Sequence, residues 1–229
     1  MFYIVFGIII ALNKEAEALL KKVENLKPID FLDKCAYTGK LCQKDVVIAI
    51  SGIGKVNATL TTQHMIDKYS PEFILNFGTC GGMNNSVEVL NYYAIEKCCQ
   101  FDFDLSELDD VPVGFIQDYD TVFFPTKLDG ISGLKTARLA SADRFICRED
   151  DVKTINDIGC NVGDMEGGAI AQVCLSNNTP LYIIKGISDV HGSGTAQEQF
   201  FKNLAAVGEG FPSVIINAIE NIYAAKKHD

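Results

Sequence analysis

Apolar residues fall along this chain in short unbroken blocks separated by longer stretches of mixed polarity, the pattern of a parallel sheet buried on both faces. Phe2 to Ala11 is the first such block and predicts a strand. Asn13 stands where a helix N-cap belongs, and a helix is expected from Lys14 towards Val23. Cys35 to Leu41 alternates with period two and Val46 to Ile50 is continuously apolar, so the two read as neighbouring strands or a hairpin joined through Cys42 to Asp45. Ser51-Gly52-Ile53-Gly54-Lys55 turns the chain into a helix from about Val56 to Lys68, which Tyr69-Ser70-Pro71 closes. Phe73 to Phe77 is the next buried strand and ends in the loop Gly78-Thr79-Cys80-Gly81-Gly82, where backbone can approach a ligand closely.

A further strand is expected from Glu88 to Lys97, whereas Gln100 to Thr126 is acidic, aromatic and loop-like. Leu139 to Ala142 leads into Asp143-Arg144-Phe145-Ile146, and a short helix begins near Arg148. From Asn161 the chain builds one strand, helix, strand unit: Asp164-Met165-Glu166 at a strand end, a helix from Ala169 to Leu175 stopped by Asn177 to Pro180, and an apolar strand from Leu181 to Ile187 ending on Ser188-Asp189. The last helix runs from about Gln197 to the C-terminus, with a break expected between Gly208 and Pro212. Alternation of this kind defines an α/β fold, whose ligands bind just beyond the carboxyl ends of the strands. Glu166 and Asp189 are therefore expected in one pocket.

The length, 229 residues, suits one domain spanning 1–229, with no linker, repeat or low-complexity tract to divide it. A net charge of −10 without a basic stripe argues against a nucleic-acid or anionic-membrane partner and for a small ligand. Phe2 to Leu12 is too short to span a bilayer and lacks the flanks of a signal peptide, so the protein is expected in the cytoplasm. Eight cysteines are scattered without framework spacing and read as reduced thiols. His64, His191 and His228 lie far apart, and the acids Asp102, Asp104, Glu107, Asp109 and Asp110 lack calcium-loop spacing, so neither metal nor cofactor is expected.

Strand ends thus offer Glu15, the Gly78 to Gly82 loop, Glu166 and Ser188-Asp189, with Phe145 nearby: a pocket rich in carboxylates and poor in cations. Glu15 and Asp189 each have a plainer reading, as a charge at a helix start and as a turn residue. Together with Glu166 they match the needs of glycosidic bond cleavage, an acid for the leaving group and a base or nucleophile opposite it.

SGIGK at Ser51 to Lys55, NFGTCGG at Asn76 to Gly82, SADRFI at Ser141 to Ile146, DMEGGAIAQVC at Asp164 to Cys174 and ISD at Ile187 to Asp189 resemble, in this order, the 5′-methylthioadenosine/S-adenosylhomocysteine nucleosidases of the nucleoside phosphorylase superfamily. The resemblance implies a single-domain three-layer αβα sandwich with a central mixed β-sheet, a homodimer, and hydrolysis of the N-glycosidic bond of adenine thioethers. It implies that Glu15 activates water, that Asp189 protonates N7 of adenine with Ser188 placing its carboxylate, and that Glu166 holds the ribose 2′-hydroxyl. Met165 would pack on the ribose, Phe145 on the adenine, the backbone of Ile146 would read the adenine edge, and Thr79 would help hold the water. Leu12, Ile53 and Phe201 fall where the family lines its 5′-substituent pocket.

Two departures accompany the resemblance. Lys185 stands where the family has an arginine that helps position the water, which keeps the charge but loses the planar fork. In the segment from Gln100 to Thr126 the family carries a tyrosine- or histidine-containing aspartate motif and aromatic residues that cap the partner subunit's pocket, whereas this chain reads QFDFD followed by a loop rich in acids, leaving the 5′ substituent open. Two other readings are a purine nucleoside phosphorylase of the same superfamily and a nucleoside-binding protein that has lost catalysis. Phosphorylases of the superfamily carry an arginine at the position of Asn76, and no arginine precedes Arg138 here.

Overall fold

The computed structural model describes residues 5–226. The start of the first expected strand, Phe2 to Ile4, and His228 lie outside the described residues.

Strand β1 (Val5–Ile10) is buried along its whole length and leads into α1 (Asn13–Leu20). Asn13 lies inside the first turn, and Leu12 takes the capping position. The segment after α1, which carries no apolar pattern, forms an exposed strand β2 (Glu24–Pro28). It pairs antiparallel with β3 (Ala36–Leu41), which makes a hairpin with β4 (Lys44–Ile50). Helix α2 (Lys55–Tyr69) follows the Gly54 cap.

Two long strands come next, β5 (Ile74–Gly82) and β6 (Tyr92–Gln100). The acidic segment beyond them holds only α3 (Ser106–Asp109), a single 3₁₀ turn at Gln117–Tyr119 and β7 (Phe124–Pro125). Strand β8 (Lys135–Ser141) precedes α4 (Glu149–Asp157), β9 (Val162–Asp164) and α5 (Gly167–Ser176). The chain finishes with β10 (Leu181–Val190) and α6 (Ala196–Ala225).

The central sheet is mixed, as the resemblance implies, and sandwiched between helices. Phe6, Ile8 and Ile10 face Ala16 and Leu19 of α1 and Val207, Phe211, Ile215 and Ile219 of α6. On the other face Val5 and Ile9 share a core with Ala58 and Met65 of α2 and Ile170 and Cys174 of α5. No described helix is long and apolar enough to cross a membrane.

Pattern alone did not disclose how the sheet closes. β5 pairs with β10, β10 with β6, β6 with β8, β8 with β9, and β9 returns to β5. Beyond this circuit β1 and β4 extend from β5 as parallel neighbours.

Closure changes the ends of two strands. The glycine-rich stretch expected to be a loop is the second half of β5, because β10 bonds it from Gly78 to Gly82 on one side and β9 bonds Gly81 and Gly82 on the other. Asp189 likewise lies within β10, just after a register shift at Ser188. A third expectation gives way in α6, which continues through Pro212 without a break. Tyr92 Oη donates to the Val207 carbonyl at 2.7 Å, and a Cβ on Gly210 would lie 1.9 Å from the same hydroxyl, so the helix is held against β6 in the turn before the proline.

Helix α5 also approaches β6 closely. A Cβ on Gly168 would stand 2.7 Å from the Cys99 carbonyl oxygen, a backbone atom that cannot swing away. Gly168→Ala is expected to destabilise the fold by about 1–3 kcal/mol, the usual penalty for overpacking, read as a lower midpoint in urea.

Candidate active site

Glu15, Thr79, Glu166, Ser188 and Asp189 come from four different segments and line one cavity of about 320 Å³. The sheet circuit brings them together. Glu15 enters from the first turn of α1, Thr79 from β5, Glu166 from the turn before α5, and the Ser188-Asp189 pair from the end of β10.

Glu15 is only 2% exposed. Its Oε1 accepts the Thr79 backbone N–H at 2.6 Å and the Thr79 hydroxyl at 2.7 Å, and its Oε2 accepts the Leu12 N–H at 3.1 Å. A Cβ on Gly78 would sit 3.2 Å from Oε1, so the bare backbone there makes room for the carboxylate. Burial pushes the carboxyl above its usual value, against the opposing pull of the Thr79 donors, the Lys185 charge and the Leu12 N–H.

Asp189 is buried too, and its Oδ1 accepts the Ser188 hydroxyl at 2.6 Å. Burial raises it to about 6, with the Ser188 hydrogen bond resisting. Its other oxygen would lie 3.0 Å from a Cβ on Gly81. Asn203 of α6 donates to the Ser188 carbonyl at 2.7 Å and fixes the register shift that turns this carboxylate toward the cavity. Glu166 accepts the Gly54 N–H at 2.9 Å, which ties the turn before α2 to the turn before α5. Burial and the neighbouring Asp164 raise it to about 7, opposed by Lys185 and by the Gly54 donor. Burial thus raises all three carboxyls, and they differ in what opposes it: three hydrogen-bond donors on Glu15, the Gly54 N–H on Glu166 and the Ser188 hydroxyl on Asp189.

Leu12, Ile53, Phe145, Ile146 and Met165 also line the cavity. Two expected residues do not. Phe201 is 67% exposed, and its neighbour Phe200 takes the place in the wall, 6.0 Å from Phe145 in an edge-to-face arrangement. The phase of α6 explains this, since Phe200 lies on the face of Leu204, Val207 and Phe211, all buried against the sheet. Lys185 is 2% exposed and stands behind the wall, with Nζ 2.8 Å from Asp164 Oδ2. It is committed to a carboxylate and does not face the cavity as the family arginine would.

Asp164 had no assigned role in the sequence, yet it organises this corner. It accepts the Gly167 N–H at 3.0 Å and the Ser141 hydroxyl, and Ser141 in turn accepts the Gly168 N–H at 2.8 Å. An aspartate three residues before a helix of glycines is a recognisable N-terminal signal. Removing one member of such a buried pair typically costs about 3–5 kcal/mol.

The remaining cations near the cavity are paired as well. Lys55 Nζ is 2.7 Å from Asp102, and Arg144, which lines the wall, makes a bidentate contact with Asp151 at 2.7 and 3.0 Å. Asp102 also accepts the Asp143 N–H, so one acid of the loop-like segment braces the site. Lys55, Arg144 and Lys185 therefore each answer a carboxylate already present.

The family model described as phosphorylase superfamily matches residues 5–220. A 5′-methylthioadenosine/S-adenosylhomocysteine nucleosidase of Oceanobacillus iheyensis is 30% identical, the match covering 94% of this chain and 99% of that protein. The structure of such a nucleosidase from Colwellia psychrerythraea in complex with adenine superposes with a TM-score of 0.88 at 26% identity, over 96% of each chain. A futalosine hydrolase of Helicobacter pylori superposes with a TM-score of 0.87 at 24% identity, over 95% of this chain and 97% of that one, a likeness of fold alone.

The buried Asp189 carboxyl has a consequence for stability. Its folded value of about 6 exceeds the ordinary 3.8, so its contribution is fully present below pH 4 and is lost as pH rises to 6. At roughly 1.4 kcal/mol per pH unit the loss is at most on the order of 3 kcal/mol. Asp189→Asn is expected to raise the melting temperature at pH 8 and to lose that advantage near pH 4, measured by thermal unfolding across pH.

Proposed function

This chain belongs to the phosphorylase superfamily and, within it, to the 5′-methylthioadenosine/S-adenosylhomocysteine nucleosidases, and we propose that Glu15, Glu166 and Asp189 carry its chemistry. The protein hydrolyses the N-glycosidic bond of adenine nucleosides, 5′-methylthioadenosine and S-adenosylhomocysteine, releasing adenine and the 5-substituted ribose.

In this reading Asp189 gives its proton to N7 of adenine as the C1′–N9 bond breaks and its electron pair moves into the base. Glu15 takes a proton from water, whose oxygen forms the new bond to C1′, with Thr79 beside it. Glu166 accepts the 2′-hydroxyl hydrogen bond and opposes the positive charge that develops on the sugar. Phe145 and Ile146 receive the adenine, Met165 the ribose, and Leu12, Ile53 and Phe200 the 5′ group.

The observation that carries this reading is the convergence of Glu15, Glu166 and Asp189 on one cavity. The pairing of Lys55, Arg144 and Lys185 with carboxylates favours water over phosphate as the nucleophile, because an anion at the sugar would need an uncommitted cation. Apolar side chains at Val56 and Leu60 on the outer face of α2 and at Leu108 in α3, each more than half exposed, support a homodimer. We place the enzyme in the cytoplasm, in methionine salvage.

Purified protein incubated with methylthioadenosine in phosphate-free buffer is expected to yield adenine and free methylthioribose, identified by chromatography with mass detection. A pentose 1-phosphate formed only with phosphate would make it a phosphorylase, and no product would leave a binding protein. Asp189→Asn and Glu15→Gln are each expected to lower kcat by about 10²–10⁴-fold with far-ultraviolet circular dichroism unchanged. Leu60→Asp is expected to shift the protein from dimer to monomer in sedimentation equilibrium.

A further inference from the structure

Four carboxylates, Glu15, Asp164, Glu166 and Asp189, are gathered about the cavity, and each is less than a tenth exposed. The fully buried cation among them is Lys185. Its Cα pairs across the sheet with Gly78, the residue whose missing side chain leaves room for the Glu15 carboxylate. Adjacent strands lie roughly 4.8 Å apart, so Lys185 stands on the strand next to the glycine against which the Glu15 carboxylate lies. The Nζ cannot swing away, because Asp164 holds it at 2.8 Å and is itself held by Gly167 and Ser141.

We propose that Lys185, clamped by Asp164, is a positioning residue whose fixed positive charge favours the ionised form of Glu15, the form able to accept the proton of the attacking water. This rests on the assignment of Glu15 as base and replaces the water-holding role of the family arginine with an electrostatic one. Burial works in the opposite direction on Glu15, and Lys185 is the cation whose charge opposes it. The groups that face Lys185 are Asp164 of β9, Glu166 at the start of α5, Glu15 of α1, Cys80 of β5 and Cys98 of β6, the last held as the neutral thiol by burial. Asp189 is the fourth carboxylate and lies on its own strand. Cys80 is held as the neutral thiol by burial, so the responses that matter at working pH are those of the carboxylates.

The charge-keeping substitution Lys185→Arg and the paired neutralisation Lys185→Met with Asp164→Asn separate charge from packing, since removing both members of a buried pair leaves no stranded ion. Circular dichroism verifies the fold, and kcat for methylthioadenosine is followed from pH 4.5 to 9. The doubly neutral variant is expected to move the acidic limb of the kcat profile upward by about one pH unit, a roughly tenfold loss on that limb that is recovered at higher pH. Lys185→Arg is expected to keep the limb in place. A folded neutral variant with an unmoved acidic limb, or an arginine variant whose limb moves as far as the neutral one, overturns the proposal. Glu15→Gln reports separately on the underlying assignment, because near-normal turnover in that variant would remove Glu15 as the base whatever Lys185 does.

Discussion

Desolvation of carboxylates is the constraint on which this molecule turns. An ionised carboxylate withdrawn from water is expensive unless donors or a cation replace the lost solvent. Here each of four finds a different replacement. Glu15 has three donors, Glu166 the Gly54 N–H, Asp189 the Ser188 hydroxyl, and Asp164 a lysine, a serine and the start of a helix. Burial raises all three carboxyls assigned to the chemistry, Asp189 to about 6 and Glu166 to about 7, and Glu15, the candidate base, carries the most donors against that rise.

Closure of the sheet makes this arrangement possible. An open parallel sheet would present β5 and β10 as separate strand ends, whereas the return of β9 to β5 draws Asp164, Glu166 and Asp189 around a single opening. Backbone without side chains lets the acids sit so near. Gly78 and Gly81 leave space for Glu15 and Asp189, and Gly168 lets α5 descend onto β6 so that its first turn meets Asp164. The core residues on both faces, from Phe6 and Phe211 to Met65 and Ile170, hold the strands rigid enough for these positions to persist. A site distributed over four segments keeps its geometry only if none of them moves.

Much of this was legible along the chain. The apolar blocks of β1, β4 and β10 and the helices α2 and α6 stand close to where periodicity predicts them, because strands buried on both faces leave an unbroken apolar signature. β2 escaped notice because it is an exposed edge strand with no apolar face to announce it. The extension of β5 through its glycines was hidden for a different reason: glycine has a poor strand propensity, and only the partners β9 and β10 supply the bonds that hold it extended. Phe200 could have been distinguished from Phe201 by the phase of α6, for the buried stripe through Leu204, Val207 and Phe211 runs through the first and not the second.

The sequence by itself determined the residue types and the order in which they meet the chain: an α/β alternation, three carboxylates at element ends, and glycines beside them. Such features depend on neighbours in the chain, and the chain states them directly. Tertiary structure alone decided what each charge would face. Lys185 reads in the sequence as a cation available to the site, yet packing turns it to Asp164, because the nearest unscreened opposite charge in a dry interior outweighs a contact with the cavity. Which groups share a proton, which are shielded, and which wall a side chain occupies follow from distances between strands far apart in sequence, and those distances exist only once the sheet has closed.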